Sequence, residues 1–67
     1  MKAGDLVEFI YKQYVIFEFV KRRNIGLVCR VGSDKKGHYI SVYYANEGVW
    51  RWHMENELRV LQRVAKL

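Results

Sequence analysis

The sequence predicts a small all-β barrel, and three observations lead to this fold class. Stretches rich in Val, Ile, Tyr, Phe and Trp recur along the 67 residues, and such residues favour strands. Five glycines and no proline divide the chain into short segments. Within most segments apolar side chains alternate with period two, whereas helical spacing appears only faintly after Met54. We therefore expect five or six short antiparallel strands that close into a barrel without exposed edges.

The first half of the chain contains three predicted strands. Asp5–Ile10 places Val7 and Phe9 on one face. Tyr14–Arg23 is almost continuously apolar up to its basic end, which indicates a strand buried on both faces or a hairpin arm covered by something else. Asn24–Val31 follows. One side of it carries the alternating residues Ile25, Leu27, Cys29 and Val31, which we expect in the core.

The second half begins with a polar turn, Gly32–Gly37, that has glycine at each end. His38–Ala45 is the next strand. Its two faces carry Ile40, Val42 and Tyr44 on one side and Tyr39, Ser41 and Tyr43 on the other. Asn46–Gly48 predicts a tight hairpin connection to the strand Val49–His53. Residues 54–57 are too few for a stable helix and predict one helical turn before the last strand, which begins at Arg59.

Trp50 and Trp52 share one face of their strand because side chains alternate. We expect Trp52 in the core near Leu58 and Val60, since a tryptophan buries roughly 150–250 Å² and helps so short a chain. Trp50 lies next to the turn, and the expectation is weaker there. The alternative is an exposed tryptophan that contacts a partner protein.

Length and composition limit the organisation to a single domain, residues 1–67, with a core over 4–61 and a basic tail over 62–67. A chain this short buries only roughly 60% of the surface of its unfolded form, so its core is marginal. A disulfide within the chain is excluded because Cys29 is the single cysteine. The chain therefore has either an unusually efficient aromatic core, which its ten aromatic residues favour, or the support of a larger protein partner or a homo-oligomer, which they do not exclude.

Several classes of function receive no support from the residues. No apolar run is long enough to span a bilayer, and the N-terminal residues do not have the pattern of a signal peptide, so we expect no membrane contact and no secretion. His38, His53 and Cys29 lack the spacing of a metal site. Glu55 and Glu57 are expected to be solvated charges rather than an acid–base pair. We expect no enzyme, no catalytic residue, no cofactor and no small-molecule substrate.

The order of motifs, "GDLVEF", a basic loop, "IGLVCRV", a polar turn, "ISVYYANEGVWRWH" and "ELRVL", resembles the small SH3-like barrels found among proteins of tailed bacteriophages. The resemblance covers most of residues 4–61. It implies an SH3-like barrel with a short helical turn before the closing strand. It also implies a phage-encoded protein located in the host cytoplasm or in the virion. Residues 11–23 depart from the pattern, since they are longer and more apolar than the expected loop.

The leading functional hypothesis is a non-enzymatic interaction or assembly module that docks on a larger protein, in the virion where the chain is phage-encoded. The window Tyr14–Val20 has a single charge in seven residues and is prone to pair or pack against another chain, unless it is a fully internal strand. Tyr, Trp and Arg are enriched at protein interfaces. The candidate interface residues are Tyr14, Phe17, Phe19, Arg30, Tyr43, Trp50 and Arg51.

The alternative hypothesis is a nucleic-acid-binding barrel. Val28 with Arg30, Tyr39 with Ser41 and Tyr43, and Val49 with Arg51 are predicted to share the outward face of neighbouring strands. Aromatic rings stack on bases and arginines neutralise phosphates, and the net charge of +5 agrees with such a ligand. The same residues can instead stabilise the sheet through cross-strand pairs, and a small soluble protein needs net charge to stay dispersed. The candidate residues for this role are Arg22, Arg23, Arg30, Tyr39, Tyr43 and Arg51.

Overall fold

Five antiparallel strands and one 3-10 turn make up the computed structural model, which describes residues 1–65. The strands are β1 (Leu6–Val15), β2 (Glu18–Asp34), β3 (Gly37–Tyr44), β4 (Val49–Met54) and β5 (Leu58–Gln62). The 3-10 turn is Glu55–Glu57, within the span 54–57 that the sequence predicts. The prediction of an all-β fold with five or six antiparallel strands is therefore confirmed, although β1 and β2, with 10 and 17 residues, are longer than the short strands that were predicted. Residues 66–67, the end of the predicted basic tail, lie outside the described residues.

The strands form one sheet in the order β4-β3-β2-β1-β5, so β4 and β5 are its outer strands. The sheet is strongly curled. Phe9 of β1 and His53 of β4 have ring centroids 4.5 Å apart although β2 and β3 lie between their strands. The curl encloses the core on one face of the sheet and leaves the other face outside.

The core is small and is built by alternation on three strands. Its fully buried apolar side chains are Val7 of β1, Val28 of β2 and Ile40, Val42 and Tyr44 of β3. Phe9, Leu58 and Val60 pack against this cluster. Gly26 is also buried, and its lack of a side chain lets β2 approach β3 closely. The predicted inner face of β3 is confirmed at all three of its positions.

The predicted inner face of β2 is wrong at Ile25 and Leu27. Ile25, Leu27 and Val31 are between 42% and 46% exposed, and Cys29 is half-buried rather than in the core. The buried positions are the ones between them, namely Asn24, Gly26 and Val28. Ile25 and Leu27 face outward because Asn24 and Gly26, which give no apolar signal, occupy the inner face of this part of β2. Val31 lies opposite the buried Ile40 on the inner side of the sheet, although it is 45% exposed.

Both tryptophans also face outward, which contradicts the predicted core position of Trp52. Trp50 is 65% exposed and Trp52 is 62% exposed. The inner position of β4 is taken by His53, which is buried against Phe9 and Tyr44. Because the buried residue is a histidine and the exposed residues are tryptophans, apolar alternation along β4 predicts the wrong face as the inner one.

The predicted strand Tyr14–Arg23 is interrupted by a turn. β1 and β2 form a hairpin whose last pair is Val15 opposite Glu18, so Ile16 and Phe17 are its two-residue loop. β5 pairs with β1 only over Leu6–Phe9, and β3 pairs with β2 only from Leu27 onward. The outer part of this hairpin therefore extends beyond the other strands, by about 20 Å for the six residues from Ile10 to Val15.

The segments before β1 and after β5 meet at Asp5. Its carboxylate accepts hydrogen bonds from the backbone N–H of Lys2 at 2.9 Å and of Val64 at 2.8 Å. These two backbone bonds hold the pKa of Asp5 below its usual value. The predicted tail is thus tied to the start of the chain at Val64, through Asp5. In residues 1–65 β4 and β5 do not pair, so the expected closure of the sheet without exposed edges is not seen. In residues 1–65 no helix has the length and apolar character needed to cross a bilayer.

Candidate interaction surfaces

The end of the β1–β2 hairpin is an exposed apolar cluster, which we call the hairpin tip: Tyr14, Ile16, Phe17 and Phe19. Ile16 is 85% exposed and Phe17 is 91% exposed. Tyr14 and Phe19 lie opposite each other in the register and pack together, with ring centroids 5.1 Å apart. The hairpin tip contains all three of the predicted interface residues of this segment.

The turn of the hairpin has an unfavourable backbone. Ile16 has φ of 48° and Phe17 has φ of 64°. A two-residue loop with positive φ at both positions normally contains Asn and Gly, because other side chains clash with their own backbone in this region. A β-branched residue such as Ile16 is especially strained there. The chain thus places two large apolar side chains where small polar ones would be more stable, and strain of this kind is concentrated at functional positions.

Basic side chains lie just behind the hairpin tip. Lys12 and Lys21 are opposite each other, and Arg22 donates from Nε to Gln13 Oε1 at 3.1 Å. Arg23 is different, because its guanidinium pairs with the buried carboxylate of Glu8. Arg59 of β5 lies 3.8 Å from the same carboxylate. Arg23 therefore neutralises a carboxylate of its own chain and is a structural residue.

A second surface, which we call the aromatic face, lies on the outside of the sheet and consists of Arg30, Tyr39, Tyr43, Trp50 and Trp52. Trp50 is opposite Tyr43, and Trp52 is opposite Ser41, which lies between the two tyrosines on the same side of β3. The rings of Tyr43 and Trp50 are in contact, with centroids 4.6 Å apart. Leu27 follows Tyr43 in the same row and extends this face across β2.

A β-bulge brings Arg30 onto the aromatic face. Val28 is opposite Val42, but the next pair along the strands is Arg30 with Ser41, so Cys29 is the extra residue. The predicted composition of this face is therefore corrected at three positions. Val28 is buried, and Val49 and Arg51 lie on the opposite side of β4 from the two tryptophans.

Arg51 belongs to neither surface. It donates to the carboxylate of Glu47 at 3.2 Å, and Glu47 also accepts from the side-chain amide of Asn24 at 3.0 Å. These groups line a cleft of about 240 Å³ together with Phe9, Tyr11 and Tyr44. Because the side chains of Asn24, Glu47 and Arg51 bond to one another, they join β2 to β4 across this cleft and do not point to a ligand site.

A short polar chain lies between the core and the 3-10 turn. Tyr44 Oη and His53 Nε2 are hydrogen-bonded at 2.7 Å, and His53 Nδ1 lies 3.6 Å from Glu57 Oε2. Burial raises the pKa of Tyr44 to about 12. Glu57 also accepts from the Met54 backbone N–H at 2.9 Å, and Glu55 pairs with the N-terminal ammonium at 3.6 Å. Both glutamates thus support the turn. Among residues 1–65 no three His, Cys, Asp or Glu side chains are grouped to hold a metal ion.

The structure thus divides the predicted interface residues into two groups. Tyr14, Phe17 and Phe19 come together at the hairpin tip, while Arg30, Tyr43 and Trp50 come together on the aromatic face. One residue of each surface was not predicted from the sequence, namely Ile16 at the hairpin tip and Trp52 on the aromatic face. Ile16 gives no turn signal, because it is β-branched and lacks a neighbouring Gly or Asn. Trp52 was assigned to the core because side chains alternate along β4. The burial of its neighbour His53 shows that the other face of β4 is the inner one, and the same alternation then places Trp52 outside.

Comparison of the chain with protein-family models, with curated proteins and with solved structures gave no match.

Proposed function

We propose that this chain is a non-enzymatic interaction module that docks on a larger protein through the hairpin tip. The phage origin and a place in the virion are part of the proposal, and they rest on the sequence resemblance over residues 4–61. The observation that carries the proposal is the exposure of Ile16 and Phe17, at 85% and 91%, on a turn whose positive φ values favour other residues.

The hairpin tip is an apolar surface at the protruding end of the β1–β2 hairpin, where a partner protein can cover it. The four side chains of the hairpin tip contribute large apolar areas at low cost in conformational freedom, since three of them are aromatic. Aromatic residues of this kind supply most of the binding free energy at protein interfaces. The lysines behind them, Lys12 and Lys21, favour an acidic rim around the apolar site of the partner.

Site-specific photo-crosslinking in the source organism tests the proposal. A photoreactive phenylalanine analogue replaces Phe17 in one version of the chain and Lys36, in the β2–β3 turn, in a control version. We expect a discrete adduct with one larger protein from position 17 and no such adduct from position 36. The same adducts from both positions, or an adduct that contains only a second copy of this chain, would contradict docking on a larger protein.

Binding to the purified partner gives the quantitative test. The double variant Ile16→Asn, Phe17→Gly keeps the hairpin and removes the apolar side chains. Loss of interface aromatics of this kind lowers affinity by about 30-fold or more. The control is Trp50→Ala, which alters the aromatic face and leaves the hairpin tip intact. Equal affinity of the double variant and the unchanged chain would overturn the proposal.

A further inference from the structure

The aromatic face is a second exposed surface, separate from the hairpin tip, and nothing in the docking proposal uses it. The two tryptophans are two residues apart on β4, so their side chains leave the same face of the strand about 7 Å apart. Tyr39 and Tyr43 lie beside them on β3, with the small Ser41 between. Four aromatic rings therefore line two neighbouring strands over an area where the sheet has no covering element in residues 1–65.

The space beside Trp52 is open. Trp52 and Tyr39 line a shallow cleft of about 330 Å³ together with Gly32, Ser33 and Asp34. A Cβ atom on Gly32 would have no atom within 4 Å, so nothing fills the cleft from the β2 side. A flat ring can enter a cleft that has aromatic walls and no side chain on one side. The carboxylate of Asp34 already accepts from the backbone N–H of Lys36 at 2.7 Å, and it can accept from an amino group as well.

The charge at this end of the face is positive. Arg30 is exposed beside Ser41, and within residues 1–65 it forms neither an ion pair nor a side-chain hydrogen bond. Lys35 and Lys36 are exposed in the adjacent turn. Arg23 and Arg51, in contrast, are held by Glu8 and Glu47. Unpaired cations of residues 1–65 thus lie next to the aromatic rings, and others, Lys12 and Lys21, lie on the outer part of the hairpin.

We infer that the aromatic face binds single-stranded nucleic acid, with bases stacked on Trp50 and Trp52 and phosphates held by Arg30 and the lysines of the β2–β3 turn. Exposed rings on a sheet with adjacent cations are the recurring means by which single strands are bound without sequence readout. Binding at this face is independent of docking through the hairpin tip. It retains Arg30, Tyr39 and Tyr43 from the predicted nucleic-acid residues and replaces Arg22, Arg23 and Arg51 with the two tryptophans.

The intrinsic fluorescence of the chain provides the test, because its two tryptophans are both on the aromatic face. Oligothymidylate and oligouridylate are titrated into the protein at low salt. We expect quenching that saturates, with an affinity that falls steeply as salt is added. Trp52→Ala is expected to weaken binding by about 5- to 100-fold, which is the range for loss of one stacked base. Arg30→Ala is expected to reduce the salt slope by about one.

Controls separate stacking from simple charge attraction. Ile16→Asn, Phe17→Gly should bind the oligonucleotides as the unchanged chain does, and circular dichroism checks that each variant is folded. Heparin carries negative charge without bases and should quench little. Absence of quenching at low salt, equal binding by Trp52→Ala, or quenching that appears on concentrating the protein alone would overturn the inference. The last result would assign the face to a second copy of the chain.

Discussion

Tyr44 is the largest fully buried side chain of the core, and it carries an ionisable group there. Its hydroxyl is satisfied by His53 Nε2, and the carboxylate of Glu57 near Nδ1 favours the tautomer that has its proton on Nδ1. In that tautomer Nε2 accepts from the tyrosine. A buried phenol can therefore replace an apolar residue at this position as long as it keeps its proton.

The raised pKa of Tyr44 predicts a loss of stability at alkaline pH. Its value of about 12 in the folded chain lies above the value of about 10 in the unfolded chain. The protonated phenol thus stabilises the fold fully below pH 10, and this contribution is lost as pH rises from about 10 toward 12. Urea unfolding across this range, compared with Tyr44→Phe, measures the effect. The phenylalanine variant should be less stable by about 1 kcal/mol at pH 7. The difference should shrink or reverse at alkaline pH, and parallel pH profiles would contradict this account.

The hairpin is the element whose sequence and conformation disagree most. Replacing Ile16 by Asn and Phe17 by Gly supplies the residues that a loop with two positive φ angles favours. We expect the free energy of unfolding to rise by about 1–3 kcal/mol, since backbone strain of this order is removed. Chemical denaturation of the double variant measures it. A decrease in stability would show that the apolar side chains of the turn stabilise the isolated chain, and that no strain is stored there.

Strand β2 approaches β3 closely at Gly26. A Cβ atom there would lie 2.8 Å from the carbonyl oxygen of Tyr43 and 2.9 Å from Cδ1 of Tyr44, and the carbonyl belongs to a paired strand and cannot move freely. Gly26→Ala should destabilise the fold by about 1–3 kcal/mol because the core is overpacked. Gly32→Ala is the matched control on the same strand, since its Cβ meets nothing within 4 Å. Equal stability of the two variants in urea would contradict the predicted close contact.

Alternation predicted the elements better than it predicted their faces. On β3 the inner residues are apolar throughout, so Ile40, Val42 and Tyr44 were assigned correctly. On β2 and β4 the inner face carries Asn24, Gly26 and His53. These residues give no apolar signal, because at Gly26 the strands β2 and β3 approach each other closely and at Asn24 and His53 the side chain forms a hydrogen bond. The alternation of residues along one strand does not reveal contacts with neighbouring strands. For the same reason it did not predict the bulge at Cys29, which turns Arg30 outward.

At the scale of the whole molecule, the chain exposes more accessible surface than a compact monomer of the same mass. Its accessible surface is 5485 Å², whereas a compact monomer of this mass exposes about 4500 Å². Its radius of gyration of 13.2 Å likewise exceeds the value of about 11 Å for a compact domain of this length. The excess area is similar to the share of one partner in a standard interface, about 800 Å². The surplus surface therefore supports a function in binding.

Asp5 joins both ends of the described chain, and its lowered pKa predicts sensitivity to acid. The ionised carboxylate stabilises the fold above its usual pKa of 3.8, and this contribution is lost as pH falls through the lowered value in the folded chain. Asp5→Asn should have a lower melting temperature at pH 7, because one acceptor oxygen is replaced by a donor that faces a backbone N–H. The difference should narrow at acidic pH. Glu18→Gln, at the exposed hairpin, is the control, and an unchanged melting temperature for Asp5→Asn would contradict the clamp.

Attenuation of NMR signals by a soluble paramagnetic agent tests most directly which side chains this small sheet turns toward its surroundings. The indole N–H signals of Trp50 and Trp52 and the ring signals of Phe17 should be strongly attenuated, while the methyl signals of Val7, Val28 and Val42 persist. That result would establish the hairpin tip and the aromatic face as accessible surfaces on a closed core. Protected indoles together with attenuated valine methyls would mean that the sheet is folded with its faces reversed, and both proposed binding surfaces would then be wrong.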